Sequence, residues 1–247
     1  MLIVGSAPQY PQGVVDDIVG IAKIATEAQI NCHVDACMGG VTLAYLQRLG
    51  EKIAPWNLQV PGVSSISVDL HKFGYTSKGA SVIMYASKHL RSYQGFVTDD
   101  WLGGVYGSSG VLGTKSGGSM ASAWAVMHFL GDDGYLRLTR QAREATLQLA
   151  TVIRSTPKLV LRAEPESTLL CFGAQDPSAL NVFAIADELA KRGWYVDRQT
   201  PPDSLHCTVN AIHHDKIDWF ARDLHESVAI ALDQKTSGSV GTYGTLE

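Results

Sequence analysis

Residues 65–72 read Ser-Ile-Ser-Val-Asp-Leu-His-Lys. Ser65, Ser67 and Asp69 alternate with Ile66, Val68 and Leu70, the two-residue period of a β-strand with one polar and one apolar face. The strand runs into Lys72. Lysine is among the residues least often fully buried, so a lysine at the carboxyl end of an inner strand calls for a chemical reason. In open α/β sheets that end is where ligands sit. A lysine amine placed there suits a Schiff base with a carbonyl compound.

The flanking segments supply a sheet for this strand. Leu2 to Val4 reads as a buried strand, followed by a loop, Ser6 to Gly13, with two prolines. Ile18, Ile21, Ala22 and Ala25 fall on one helical face, with Asp16 and Asp17 expected in the first turn, where the helix dipole favours negative charge. Ile30 to Ala36 is the next strand, Val41 to Leu49 a short helix stopped by Gly50, and Ala80 to Tyr85 a strand beyond the lysine. This order is that of an α/β fold with a mainly parallel sheet.

A glycine-rich connection over 96–118 carries Trp101 and Tyr106 and is expected to lack regular structure, as long functional loops do. Two helices, Ser119 to Leu130 and Tyr135 to Arg154, are expected on either side of Gly131 to Gly134. After Pro157 the pattern becomes that of a small α+β domain. Its short strands are expected at 159–161, 168–172, 194–196 and 205–209. Its helices carry Val182, Ile185, Ala186 and Leu189, then Ile217, Phe220, Leu224 and Val228. The segment from Asp233 is expected to be an exposed tail.

A net charge of −4 gives no reason to expect nucleic acid or an anionic membrane as partner. No apolar run reaches the roughly 18 residues of a membrane span, and the first residues do not read as a signal peptide. The four cysteines form neither a disulfide framework nor a metal-site spacing. His213, His214 and Asp215 have ligand chemistry but fall at the start of a surface helix, where capping suffices. A cytoplasmic protein without a metal is the expectation.

Asp35 ends one strand, and Lys72 ends another 37 residues later, a gap that holds one helix-plus-strand crossover. An aspartate and a lysine facing one crevice are what pyridoxal phosphate requires. The lysine forms the imine, and the aspartate keeps the pyridine nitrogen protonated so that the ring accepts electrons. From these two residues alone, a structural ion pair between neighbouring strands explains the pattern at least as well.

Longer motifs tip this balance. Gly5-Ser-Ala-Pro-Gln-Tyr-Pro-Gln-Gly13, His33-Val-Asp-Ala-Cys-Met-Gly-Gly40, Asp69-Leu-His-Lys-Phe-Gly-Tyr-Thr-Ser-Lys-Gly79 and Asp100-Trp-Leu-Gly-Gly-Val-Tyr106 occur in this order. Together they resemble the sphingosine-1-phosphate lyase family, of the group II pyridoxal-phosphate-dependent decarboxylase kind and fold type I. The resemblance implies Lys72 as the Schiff-base lysine, Asp35 at the pyridine nitrogen and His71 against the cofactor phosphate. It implies Lys78 and Tyr106 as residues near the substrate and Tyr10 at the substrate entrance. Thr114 stands where the family has a serine that reaches the cofactor phosphate from the neighbouring subunit. Lys115 and Ser116 depart from the family's Arg-Pro, and lysine cannot reproduce arginine's two-pronged grip.

The resemblance further implies retro-aldol cleavage of a phosphorylated long-chain base to a fatty aldehyde and phosphoethanolamine, in a homodimer with a shared active site. An amino-acid decarboxylase and a non-catalytic fragment are the alternatives. The family is roughly twice as long as this chain, and its first half supplies the glycine-threonine phosphate cup and the histidine that stacks on the ring. On this reading residues 1–130 are the latter part of the cofactor-binding large domain, 131–156 a connecting helix, 157–232 the small domain and 233–247 a tail. Weak cofactor retention by the chain alone is expected.

Overall fold

The computed structural model describes residues 1–234 and 238–239. The chain forms two compact units. The first comprises Met1–Ala7, Val15–Ala44 and Lys52–Asp132; the second comprises Pro8–Val14, Tyr45–Glu51 and the chain from Asp133 on.

The sheet of the first unit has four strands in spatial order β1 (Leu2–Ser6), β2 (Asn31–Asp35), β3 (Val63–Asp69) and β4 (Ser81–Tyr85). The first three are parallel, and Ser6 lies beside Asp35, which lies beside Ser67, so their carboxyl ends are level. β4 is the antiparallel member, with Ser81 opposite Asp69. The connection over 70–80 contains no helix, and a parallel return needs a crossover of a dozen or more residues.

Helix α1 (Ile18–Glu27) buries Ile18, Ala22 and Ala25 against β1 and β2. Asp16 and Asp17 precede its first turn rather than lie in it. Asp17 caps the helix by accepting the Gly20 N–H at 3.0 Å, while Asp16 accepts the Ser6 N–H at 2.8 Å. A side chain at Gly5 would place its Cβ 2.6 Å from Ile18 Cδ1, so the close approach of α1 to β1 depends on that glycine. Gly40, just before α2 (Thr42–Arg48), is crowded in the same way by Val68, with both methyls within 2.5 Å of an ideal Cβ.

Helix α3 (Lys88–Ser92) leads into the glycine-rich connection, which is not structureless. Two three-residue strands, β5 (Phe96–Thr98) and β6 (Tyr106–Ser108), pair antiparallel within it. Trp101 packs edge-on against Tyr106, with ring centroids 5.7 Å apart, which ties the intervening turn to the ribbon. The two expected helices are present within Gly117–Ser155, labelled α4, and meet at a break narrower than the expected four residues: Gly131 alone, with φ of 54° and ψ of −173°, lies outside the helical region.

The second unit holds a four-stranded antiparallel sheet in spatial order β7 (Leu159–Leu161), β8 (Leu169–Ala174), β10 (Ser204–Thr208) and β9 (Asp197–Gln199). Helices α5 (Val182–Lys191) and α6 (Ile217–Gln234) cover it, and Phe172, Ile185, Leu189, Leu205 and Leu224 form the fully buried centre with Ile153 of α4. The expected strand at 194–196 falls instead at 197–199. Trp194 is drawn off the sheet by a 2.7 Å hydrogen bond from its indole N–H to Asp223 and by edge-on packing against Phe220. Arg143 ties the unit together, donating to the carbonyls of Pro165 and Ser167 at 2.8 and 2.9 Å and pairing with Glu51 at 3.2 Å. A 3-10 turn over Ala211–Lys216 precedes α6, and His213 there accepts the Asn210 N–H, a capping role. The expected tail over 233–247 lies almost wholly outside the described residues, and Asp233 and Gln234 complete α6.

Candidate active site

The polar residues of β2 and β3 alternate onto one face of the first sheet. His33, Asp35, Ser65, Ser67 and Asp69 share it, while Cys32, Val34, Ile66 and Val68 turn to the buried side under the helices. At the carboxyl ends of these strands the polar face becomes a connected cluster.

Asp35 Oδ1 accepts the Cys37 backbone N–H at 3.0 Å and the Ser67 hydroxyl at 3.3 Å. Burial alone would raise its pKa, but the hydrogen bonds from Cys37 and Ser67 and the nearby charge of Lys72 outweigh it and hold the carboxyl below the usual carboxylate range. Partial burial beside this carboxylate pushes the Cys37 thiol up to about 11, which keeps it protonated at neutral pH.

Lys72 lies in the turn that follows β3, three residues past the last strand residue, Asp69. Its ammonium group is 3.0 Å from Asp69 Oδ2, and its side chain remains 35 % exposed. Asp69 also accepts a short hydrogen bond from the Ser81 hydroxyl and lies 3.7 Å from His71 Nε2. Burial pushes the Asp69 carboxyl up, and the Ser81 and Lys72 hydrogen bonds with the Lys72 and His71 charges bring it down further, to a net value below the usual range. His71 is fixed through Nδ1, 2.9 Å from the Ala80 carbonyl.

Asp35, His71 and Lys72 therefore meet at one end of one sheet. Lys78 and Thr114 are exposed and make no hydrogen bond or ion pair among the described residues. Tyr106 is half-exposed on the β5–β6 ribbon. Tyr10 belongs to the second unit, where its ring lies 4.3 Å from that of buried His206 and its hydroxyl is 3.5 Å from Gln199 Nε2. Four participants were not singled out from the sequence: His33, Ser67, Asp69 and Ser81. The alternation that places three of them on one face was visible, but it reads equally as an ordinary solvated strand face. Among the described residues no group of three or more His, Cys, Asp or Glu side chains is arranged to hold a metal, and no helix is long and apolar enough to cross a membrane.

This arrangement has relatives. Sphingosine-1-phosphate lyase of Arabidopsis thaliana is 37% identical over 228 residues, covering 92% of this chain and 41% of the plant protein. That of Dictyostelium discoideum is 36% identical over 245 residues, covering 99% and 45%. The structure of the Burkholderia pseudomallei sphingosine-1-phosphate lyase superposes with a TM-score of 0.88 at 35% identity, covering 95% of this chain and 53% of that one. The chain thus spans about half the length of the relatives it matches. Glutamate decarboxylase of Lactobacillus brevis shares the fold, with a TM-score of 0.78 at 18% identity. Residues 9–175 match the pyridoxal-dependent decarboxylase conserved domain. With Lys72 in the turn just past its inner strand and inside that match, the chain belongs to the pyridoxal-dependent decarboxylase family.

Proposed function

We propose that this chain carries the Schiff-base half of a pyridoxal-phosphate-dependent carbon–carbon lyase acting on phosphorylated long-chain bases. The observation that carries the reading is the convergence of a primary amine, Lys72, and an ionised carboxylate, Asp35, at the ends of neighbouring strands. These residues fit pyridoxal phosphate: an amine for its aldehyde, and a carboxylate held negative beside that amine for its ring nitrogen. Identity of 33–37% to several sphingosine-1-phosphate lyases favours the lyase reaction.

Bound there, pyridoxal phosphate supplies an aldehyde that captures the substrate amine and an electron-poor ring that accepts the electron pair of the breaking bond. Lys72 would hold the cofactor through its amine, which to do so must leave Asp69 and lose a proton. Asp35, held ionised, would keep a proton on the ring nitrogen. His71 and Thr114 would contact the cofactor phosphate, the latter from a partner subunit in a homodimer. Lys78 and Tyr106 work near the substrate, and Tyr10 near its entrance. Four unpaired cysteines suit a reducing, cytoplasmic setting.

The test is to incubate the chain with pyridoxal 5'-phosphate, reduce with borohydride and map the modified peptide. A pyridoxyl adduct on Lys72 that disappears in Lys72→Ala is expected. The reaction is then read with a phosphorylated long-chain base, where a long-chain aldehyde is expected. The decarboxylase reading draws on the family match, and carbon dioxide release from an amino acid without any aldehyde would establish it instead. Absence of the Lys72 adduct would point to a non-catalytic chain.

A further inference from the structure

Behind Asp35 lies a chain of hydrogen bonds whose direction the chemistry determines. His33 sits two residues before Asp35 on the same strand face. Its Nδ1 is 2.8 Å from the Ser65 hydroxyl and its Nε2 is 3.1 Å from the Ser67 hydroxyl. The Ser67 hydroxyl is in turn 3.3 Å from Asp35 Oδ1.

An ionised carboxylate only accepts, so the single hydroxyl proton of Ser67 points at Asp35. The Ser67 oxygen must then accept from His33, which places the imidazole proton on Nε2. His33 Nδ1 becomes an acceptor, and Ser65 donates to it. The order is Ser65 to His33 to Ser67 to Asp35. Desolvation, outweighing the pull of Asp35, lowers the basicity of His33 and keeps the ring neutral, as this order requires. Ser65 is buried, so water competes little for the start of the relay.

We propose that His33 is a positioning residue: by fixing the Ser67 hydroxyl it holds the charge and orientation of Asp35. The Ser67 hydroxyl and the Cys37 backbone N–H both fall on Oδ1 of this carboxylate, which stays ionised and able to meet a cation. That this cation is the protonated ring nitrogen rests on the function proposed above; the relay itself does not.

The experiment separates the two. In the cofactor-free chain, nitrogen-15 shifts of His33 are expected to show the Nε2–H tautomer. Carbon-13 titration of Asp35 is expected to show its midpoint rising by about one unit in His33→Phe and in Ser67→Ala, with His33→Gln, which retains a donor near Nε2, staying close to wild type. A ring protonated at Nδ1, or an Asp35 midpoint unmoved in Ser67→Ala, would overturn the relay. The wild-type tautomer is readable even if a variant fails to fold. Borohydride trapping with pyridoxal 5'-phosphate on the same samples reads the cofactor separately: a relay confirmed by resonance with no Lys72 adduct upholds the relay and rejects the cofactor reading.

Discussion

The Lys72 ammonium lies 3.0 Å from Oδ2 of Asp69, the last residue of the strand that leads into it. The same carboxylate gathers the Ser81 hydroxyl from the adjoining strand and the His71 ring. The amine is thus held by its own chain, and whatever uses it must first break this pair.

Removing the amine should be felt by its partner. Lys72→Met deletes a hydrogen bond and a charge that hold the Asp69 carboxyl down, so its titration midpoint is expected to rise by about one unit, with a smaller rise at Asp35. A carboxylate with a depressed folded-state value contributes stability that is present above the ordinary value of 3.8 and is lost as pH falls through the folded value. The variant should therefore show a shallower loss of stability below about pH 4. Carbon-13 titration and acid unfolding followed by circular dichroism check both statements.

The crowding around Gly40 predicts a directional pair of substitutions. Gly40→Ala places a methyl against both methyls of Val68, a β-branched side chain stiff at χ1, and is expected to destabilise by about 1–3 kcal/mol. Combined with Val68→Ala, the two changes should cost less than their sum, because the second removes the clash made by the first. Urea unfolding of the single and double variants measures the coupling.

In the second unit, burial lowers the basicity of His206 against the opposing pull of the Pro11 carbonyl and Asp197. The unfolded chain binds the proton more readily, so stability rises with pH here and is lost as pH falls below the ordinary histidine value of 6.5. His206→Gln is expected to flatten the fall in thermal midpoint between pH 7 and 5 only in part. The remainder belongs to half-buried His213 and to His33, which shift in the same direction. Melting curves across that range decide it.

Arg143 donates to two carbonyls that would otherwise be left without it, while its Glu51 partner is partly exposed. Arg143→Ala is therefore expected to cost about 2–4 kcal/mol, and Glu51→Gln less than about 1 kcal/mol. Arg143→Lys should recover little, since one ammonium cannot reproduce the planar fork. Chemical denaturation resolves the three values.

The main elements of the first unit were legible from local pattern because periodicity and burial agree there. Ile18, Ala22 and Ala25 mark α1, and alternation marks β3. What local pattern could not show was set by distant partners. Trp194 has the look of a strand residue, but Asp223, 29 positions away, takes its indole N–H. The ribbon around Tyr106 consists of three-residue strands, too short to produce a period. The site shows the same division. Asp35, His71 and Lys72 were visible as chemistry at strand ends, whereas His33 and Ser81 matter through register: Val4, His33 and Ser65 line up across three strands, and Ser81 lies opposite Asp69.

The reversal of β4 has a consequence of its own. Because that strand runs backwards, it offers the site its first residue, Ser81, rather than its last, and the loop over 70–80 spans from one contact to the other. Surface loops ordinarily absorb added residues at little energetic expense. This one is pinned at its base, by Ser81 on Asp69 and by His71 on the Ala80 carbonyl, so an insertion between those anchors would fall on the turn that bears the lysine and move its amine rather than loosen the strands.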